Sequence, residues 1–230
     1  MKQITLGGDQ SKDEERIYPK DAHFTMPDGI KVSVTRSRIA AADMPQLFAR
    51  HEGRYFQVGV FCRPGYRVLD FPCGSGYAAA LFAPFGVRYE GRDIDTVTVE
   101  YARQVYGAGG AQFGAGDLRK PDLPKEAYEV IGCIEGLEHI EMEHQDALIN
   151  AFKDALKQGG VLVISSPENP DGRSGASSHN QWHVGELTRD DFMALLRRHF
   201  PAEDIELVTC PALLSSGVTT SMFLGICHKH

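Results

Sequence analysis

Val68-Leu69-Asp70-Phe71-Pro72-Cys73-Gly74-Ser75-Gly76 is the stretch whose reading decides the fold. It begins as a short apolar strand, Arg67 to Phe71, and ends in a glycine-rich turn. Glycines lack a Cβ, so the backbone can turn sharply and come close to a ligand. Tyr77 to Phe82 then reads as a helix, whose free N–H groups would face that ligand. Alone the turn is ambiguous, because Gly74-Ser75-Gly76-Tyr77-Ala78-Ala79 also matches the G-x-G-x-x-A fingerprint of dinucleotide sites.

Downstream the punctuation is regular. Val87 to Arg92 is a second strand ending in Asp93, and Thr96 to Tyr106 a helix. Ala111 to Ala115 is a weak third strand before Asp117, and Tyr128 to Ile134 a fourth. Leu148, Ile149, Phe152 and Leu156 mark a helix that Gly159-Gly160 stops, and Val161 to Ile164 is a buried fifth strand. Thr188 and Asp191 resemble a capping box ahead of a helix burying Phe192, Leu195 and Leu196. Ile205 to Val208 and Ser221 to Cys227 close the chain as strands.

Upstream, residues 1 to 28 are polar and aperiodic and read as an extended arm, followed by a short alternating strand, Ile30 to Val34. Asp43-Met44-Pro45 reads as a helix start with proline in the first turn, and Leu47, Phe48, Tyr55, Phe56 and Val58 give that helix one apolar side. The expected organisation is an N-terminal arm and strand, 1–43, followed by one α/β domain, 44–230. Alternating strands and helices imply a parallel sheet covered on both faces, which binds ligands at the carboxyl ends of its strands. Asp70, Gly74, Asp93, Asp117 and Glu135 all fall at such ends.

The net charge is −7, which argues against broad binding to nucleic acid or an anionic membrane. The five cysteines are scattered and contain no C-x-x-C, so reduced thiols in a cytoplasmic protein are expected rather than zinc or disulfides. The polar N-terminus has no signal-peptide core, and no stretch is apolar enough to span a bilayer.

The acids separate the two readings of the turn. Asp70 would repel a pyrophosphate but suits a ligand with a cationic ammonium and sulfonium. Asp93 can accept from both hydroxyls of a ribose. Asp117 can accept from an adenine amino group, with the Leu118 N–H reading a ring nitrogen. Each acid alone reads sooner as a helix cap or loop charge than as a ligand contact; the ordered set reverses that preference. No tyrosine is followed by lysine at the fourth position, so the usual donor pair of short-chain dehydrogenases is missing.

With Val68-Leu69-Asp70, Cys73-Gly74-Ser75-Gly76-Tyr77, Gly91-Arg92-Asp93-Ile94-Asp95, Gly116-Asp117, Glu135-Gly136-Leu137-Glu138-His139-Ile140, Leu156-Lys157-Gln158-Gly159-Gly160 and Ser165-Ser166-Pro167 in this order, the segment from Arg54 to about Phe200 resembles a class I, Rossmann-like methyltransferase. It is similar to the group holding ubiquinone-biosynthesis O-methyltransferases and many sugar and natural-product methyltransferases. The resemblance implies S-adenosylmethionine as cofactor and a doubly wound seven-stranded sheet, parallel except for one strand. It implies cofactor contacts at Asp70, Gly74, Gly76, Asp93, Asp117 and Leu118; Cys73, Ser75, Ile94 and Glu135 complete the set. Arg54-Tyr55 resembles a segment that contacts the methionine carboxylate, which adds Tyr55. Phe71-Pro72, where a small residue and glycine are commoner, and Gln158, where proline is frequent, depart from the pattern.

Methyl transfer from a sulfonium is an in-line displacement, so the protein mostly aligns donor and acceptor. An oxygen or nitrogen acceptor can also need a base. His139 and His183 are the candidates, with Glu138 beside them, since histidine titrates near neutral pH. Asn180-Gln181-Trp182-His183-Val184-Gly185-Glu186 is similar to the N-P-F-H-V-R-E run that places a histidine over the acceptor in family members. Both histidines read equally well as structural pairs. Glu135, Glu138 and the histidines could hold a divalent cation, as E-x-x-E-H plus a later histidine does in small-RNA 2′-O-methyltransferases and some quinone O-methyltransferases; the metal-free reading is preferred. His179, His228 and His230 read as solvated, Trp182 as packing or a pocket wall, and the Asp171 to Gln181 loop as a lid or plain connection.

The leading expectation is O-methylation of a small hydroxylated molecule, a sugar or secondary metabolite. The alternatives are an N-methyltransferase, an RNA-end 2′-O-methyltransferase with a metal, a non-catalytic S-adenosylmethionine-binding module, and an NAD(P)-dependent dehydrogenase.

Overall fold

A computed structural model describes residues 3–9, 16–38, 44–213 and 219–230. The N-terminal region corrects the sequence reading. Residues 1–28 do not form only an arm: β1 (Gln3–Asp9) and β2 (Ala22–Thr25) flank β3 (Lys31–Arg38) in a three-stranded sheet. β1 runs parallel to β3 and β2 antiparallel. The cause is non-local burial. Tyr18, Val32 and Val34 bury against Tyr101, and Ile4, Leu6 and Phe24 pack around them. Those side chains recur every second residue, a period the surrounding polar residues obscure.

α1 (Met44–Val60) follows, starting where Met44-Pro45 suggests. Asp43 and the Leu47 and Phe48 side chains lie outside the described residues. Then come β4 (Arg67–Asp70), α2 (Ala78–Phe82), β5 (Arg88–Asp93), α3 (Thr96–Tyr106), β6 (Gln112–Ala115), β7 (Tyr128–Cys133), α4 (Met142–Ala155), β8 (Leu156–Pro167), α5 (Arg189–Arg197), β9 (Ile205–Leu213) and β10 (Thr219–His228). β4 to β10 form the expected seven-stranded sheet, in the order β6-β5-β4-β7-β8-β10-β9. β10 runs antiparallel to both its neighbours, and the other pairs are parallel.

Successive strand residues divide between two cores, as a period of two requires. Val68, Val130 and Val163 face Val58 of α1, Phe82 of α2 and Val99 of α3. Leu69, Ile131 and Leu162 face Phe152 of α4 and Phe192 and Leu196 of α5. The chain runs from β4 outward through β5 and β6, then returns to β7 on the other flank of β4. The strand order therefore reverses between β4 and β7, which opens a crevice at their carboxyl ends.

Two local boundaries differ from expectation. α4 ends at Ala155, not at the glycine pair, because Leu156 already pairs with Tyr128 in the sheet. Gly159 (φ 75°) and Gly160 instead form an irregularity within β8, where a Cβ on Gly160 would stand 2.8 Å from the Lys157 carbonyl oxygen. At α5, Thr188 Oγ1 accepts from Asp191 N–H (3.3 Å), but the Thr188 N–H donates to Ser174 Oγ (2.9 Å). The cap is completed by a residue fourteen positions upstream rather than by the reciprocal box.

Candidate active site

The glycine turn closes on itself. Gly76 N–H donates to the Cys73 carbonyl, and Ala79 and Ala80 N–H donate to Gly76 and Tyr77 carbonyls. α2 starts one residue later than expected and is five residues long. The two glycines have different reasons. At Gly76 (φ 77°) a Cβ would stand 2.6 Å from both Ala102 Cβ and Phe113 Cε1, whereas at Gly74 (φ 52°) it would meet nothing within 4 Å. Gly76 is required by packing and Gly74 faces open space. The Cys73 side chain is buried beneath the turn against Gly91, and its N–H is spent on the Arg92 carbonyl (2.8 Å), so Cys73 builds the turn from below.

Asp70 is buried at the end of β4 and accepts from Tyr89 Oη (2.6 Å) and Tyr55 Oη (3.3 Å). Burial raises its pKa to about 7; the two tyrosine hydroxyls oppose the rise and Asp93 adds to it. Burial, with Asp70 next, pushes both tyrosines well above their ordinary range, so they remain donors. Tyr55, Tyr77 and Phe82 pack edge to face, with Tyr55–Tyr77 centroids 5.6 Å and Tyr55–Phe82 centroids 6.0 Å apart.

Asp93 is the hub of the next cluster. Its Oδ2 accepts from Gly74 N–H (3.0 Å), and its Oδ1 from Asp95 N–H (3.0 Å) and Arg16 Nη2 (3.1 Å). Ser75 Oγ donates to the Ile17 carbonyl, so the segment before β2 lies on the turn. Ile94 is exposed beside Asp93, while Asp95 caps α3 by accepting from Val97 and Thr98 N–H. Asp117 is clasped by Arg119 (Nη2–Oδ2 2.8 Å, Nε–Oδ1 2.9 Å), which lowers its pKa, and the Leu118 side chain is buried.

Across the crevice, Glu135 follows β7 with φ 53°, a left-handed backbone unusual for a side-chain-bearing residue and typical of functional loops. Ser165 of β8 holds it there: Oγ accepts from Glu135 N–H (3.0 Å) and donates to Oε1 (2.9 Å), and Arg54 Nε lies 3.7 Å from the same oxygen. Gly136 must be glycine, since a Cβ would stand 2.3 Å from Pro72 Cδ. The loops after β4 and β7 are thus in contact at the switch point.

The 3-10 turn Leu137–His139 carries Glu138, which is fully buried, with neither carboxyl oxygen hydrogen-bonded among the described residues. Burial drives its pKa well above the ordinary range; Glu135 and Glu186 push the same way, and its own backbone N–H and Arg54 oppose. The His139 and His183 rings meet edge to face with centroids 4.9 Å apart. His183 Nδ1 lies 2.6 Å from Oε1 of the buried Glu186, and His139 Nδ1 3.2 Å from the Trp182 carbonyl. One ligand atom each from Glu138, His139 and His183 lie within 4.8 Å of one another, so these three could hold a cation; Glu135 is not in the group.

Asp70, Asp93, Asp117, Glu135, Glu138 and His139 therefore follow the carboxyl ends of β4, β5, β6 and β7, and His183 joins Glu138 and His139 from the loop after β8. Asp93 contacts the glycine turn, while Asp117 is held by Arg119. Sequence reading gave no site role to Arg16, Tyr89, Ser165 and Glu186. Ser165 and Glu186 stand in runs quoted above; Arg16 and Tyr89 reach the site only through tertiary contacts. Beyond β8 a cleft of about 530 Å³ is lined by Glu168, Asn169, Thr209, Cys210 and Ser221. Among the described residues no helix is long and apolar enough to cross a membrane.

A methyltransferase-domain family model matches residues 37–207. A probable S-adenosylmethionine-dependent methyltransferase of Mycolicibacterium smegmatis is 28% identical over 186 residues, 80% of this chain and 70% of the relative. A ubiquinone biosynthesis O-methyltransferase of Xanthomonas campestris is 31% identical over 106 residues, 45% of this chain and 44% of the relative. Apart from the first, the curated relatives are matched over about half their length or less, as with the 53% of a Mycobacterium tuberculosis protein. Among solved structures, phosphoethanolamine N-methyltransferase 2 of Haemonchus contortus, in complex with phosphomonomethylethanolamine and S-adenosylhomocysteine, aligns with TM-score 0.63 and 16% identity over 77% of this chain and 52% of that one. A methyltransferase from Methanosarcina mazei aligns with TM-score 0.61 and 15% identity over 75% and 96%. At such identity the likeness is one of fold alone. The family match sets aside the dinucleotide reading of the glycine turn: this chain belongs to the methyltransferase-domain family, as a class I S-adenosylmethionine-dependent methyltransferase.

Proposed function

We propose that this protein transfers a methyl group from S-adenosylmethionine to a hydroxyl of a small acceptor, a sugar or secondary metabolite, with His139 or His183 taking the proton. Asp70, with Tyr55, faces the amino-acid end of the cofactor. Gly74, Ser75 and Gly76 cradle its middle, Asp93 with Ile94 takes the ribose, and Asp117 with Leu118 the adenine. Glu135 borders the methyl group. The observation that carries the reading is the meeting of the two imidazoles beside Glu138, in the loops after β7 and β8. A neutral imidazole near an acceptor hydroxyl lowers the barrier by receiving its proton as the carbon–oxygen bond forms. Similarity to a ubiquinone O-methyltransferase supports oxygen as the acceptor atom, while an Arabidopsis phosphoethanolamine N-methyltransferase, 26% identical over 172 residues, keeps nitrogen as the alternative.

A second reading draws on the unpartnered Glu138 oxygens beside both histidines. A divalent cation held there would supply Lewis-acid lowering of the acceptor hydroxyl pKa.

The test is transfer from methyl-labelled S-adenosylmethionine to matched hydroxyl and amine acceptors, with His139→Ala and His183→Ala compared at saturating cofactor. Product on oxygen, slowed in at least one variant with unchanged S-adenosylhomocysteine affinity, is expected. Label on nitrogen only, or equal rates in wild type and both variants, refutes the reading. Loss of all activity on chelation, restored by one divalent metal, favours the second. Cofactor binding with no transfer to any acceptor would return the chain to a binding module.

A further inference from the structure

Asp93 carries more partners than a ribose acceptor can keep. A carboxylate offers about four lone-pair positions. Three are taken here, by Gly74 N–H, Asp95 N–H and Arg16 Nη2. A ribose diol donates two hydrogen bonds, so one protein partner must withdraw when the cofactor arrives. The two N–H donors belong to the backbone of the turn and of the α3 cap and move only if the fold does. Arg16 is the partner on a side chain. About one third of that side chain is exposed, and it reaches in from the segment before β2.

We infer that residues 16 to 18 form a strap that competes with the cofactor for its ribose subsite, with Arg16 as the stand-in cation. Three contacts lay the strap over the site. Arg16 pairs with Asp93 and, through Nη1, with Asp95 at 3.5 Å. The Ile17 carbonyl accepts from Ser75 Oγ inside the glycine turn. Tyr18 is the anchor: its hydroxyl bonds Thr98 Oγ1 (2.9 Å), its ring packs edge to face on Tyr101 (5.0 Å), and its N–H donates to Ser37 Oγ (3.0 Å). The anchored end is buried and apolar, and the Arg16 end is held by charge. The strap therefore opens from the Arg16 end while Tyr18 stays docked on α3. An ion pair that is partly exposed is screened by salt, so cofactor entry becomes dependent on ionic strength through this one contact.

The inference rests on Asp93 as ribose acceptor, and the experiment separates the two. S-adenosylhomocysteine is titrated calorimetrically into the full chain and into Arg16→Ala, Arg16→Lys and Asp93→Asn, with melting curves confirming that each folds. Competition predicts that Arg16→Ala binds about two- to fivefold more tightly at low ionic strength, the scale of one partly exposed ion pair. Arg16→Lys should stay near wild type. Added salt should tighten binding to wild type and leave Arg16→Ala flat. Equal or weaker binding in Arg16→Ala, with Asp93→Asn still impaired, overturns the strap alone and makes Arg16 part of the bound cradle. Unimpaired binding in Asp93→Asn overturns the ribose assignment and the strap with it.

Discussion

Gly74 and Gly76 stand two residues apart in one turn, yet the structure assigns them separable costs. At Gly76 an alanine meets both penalties: φ is 77°, and the new methyl would lie 2.6 Å from Ala102 Cβ and from Phe113 Cε1. The left-handed backbone costs about 1–2 kcal/mol for an L-residue. Overpacking against the α3 helix and the β6 ring adds about 1–3 kcal/mol. Gly76→Ala should therefore lose roughly 2–5 kcal/mol, a large share of the roughly 5–15 kcal/mol that holds a domain folded. At Gly74 φ is 52° and no heavy atom lies within 4 Å of the added Cβ, so only the backbone term remains. Gly74→Ala should lose about 1–2 kcal/mol of stability. Its methyl, however, stands in the space proposed for the cofactor, and displacing the ligand there should weaken S-adenosylhomocysteine by about tenfold or more, some 1.4 kcal/mol. Urea melts without ligand measure the first quantity and calorimetric titration the second. Equal destabilisation by the two alanines would refute the packing argument. Wild-type affinity in Gly74→Ala would refute the placement of the cofactor over this turn.

Two further outcomes can be measured without an acceptor. Burial holds Asp70 at about 7 in the folded chain against about 4 when unfolded. Between those values the folded state keeps a proton that the unfolded state releases, so this carboxyl favours the fold at low pH and its contribution is lost as pH rises to 7. At about 1.4 kcal/mol per unit, that is a few kcal/mol at most, and Asp70→Asn should flatten the decline in unfolding free energy over this window; an unchanged slope would place the carboxyl in water. Asp95→Ala removes the acceptor for Val97 and Thr98 N–H at the start of α3 and should cost about 1–2 kcal/mol. At this chain length that is a fall of roughly 2–8 °C in Tm, and no fall would show that solvent caps the helix equally well.

The fold class, the seven strands and the placement of the acids at strand ends were legible in the sequence because each rests on local information. Val68-Leu69, Val130-Ile131 and Val161 to Ile164 are apolar runs bounded by turn residues, and a strand buried on both faces needs nothing else. Gly74 and Gly76 mark the turn whatever surrounds it, and the order Asp70, Asp93, Asp117, Glu135 follows from the order of the strands. Tertiary structure alone decided the rest. Tyr89 reaches Asp70, Ser165 holds Glu135 in its left-handed conformation, and Arg16 crosses 77 positions of sequence to Asp93. Glu138 and His183 share one cluster only because the loops after β7 and β8 fold together. Such contacts pair residues far apart in sequence, and no local propensity or period encodes which of many charged or hydroxyl side chains will meet. The sequence thus determined which acids stand at the strand ends, and tertiary packing decided what each of them touches and how deeply it is buried.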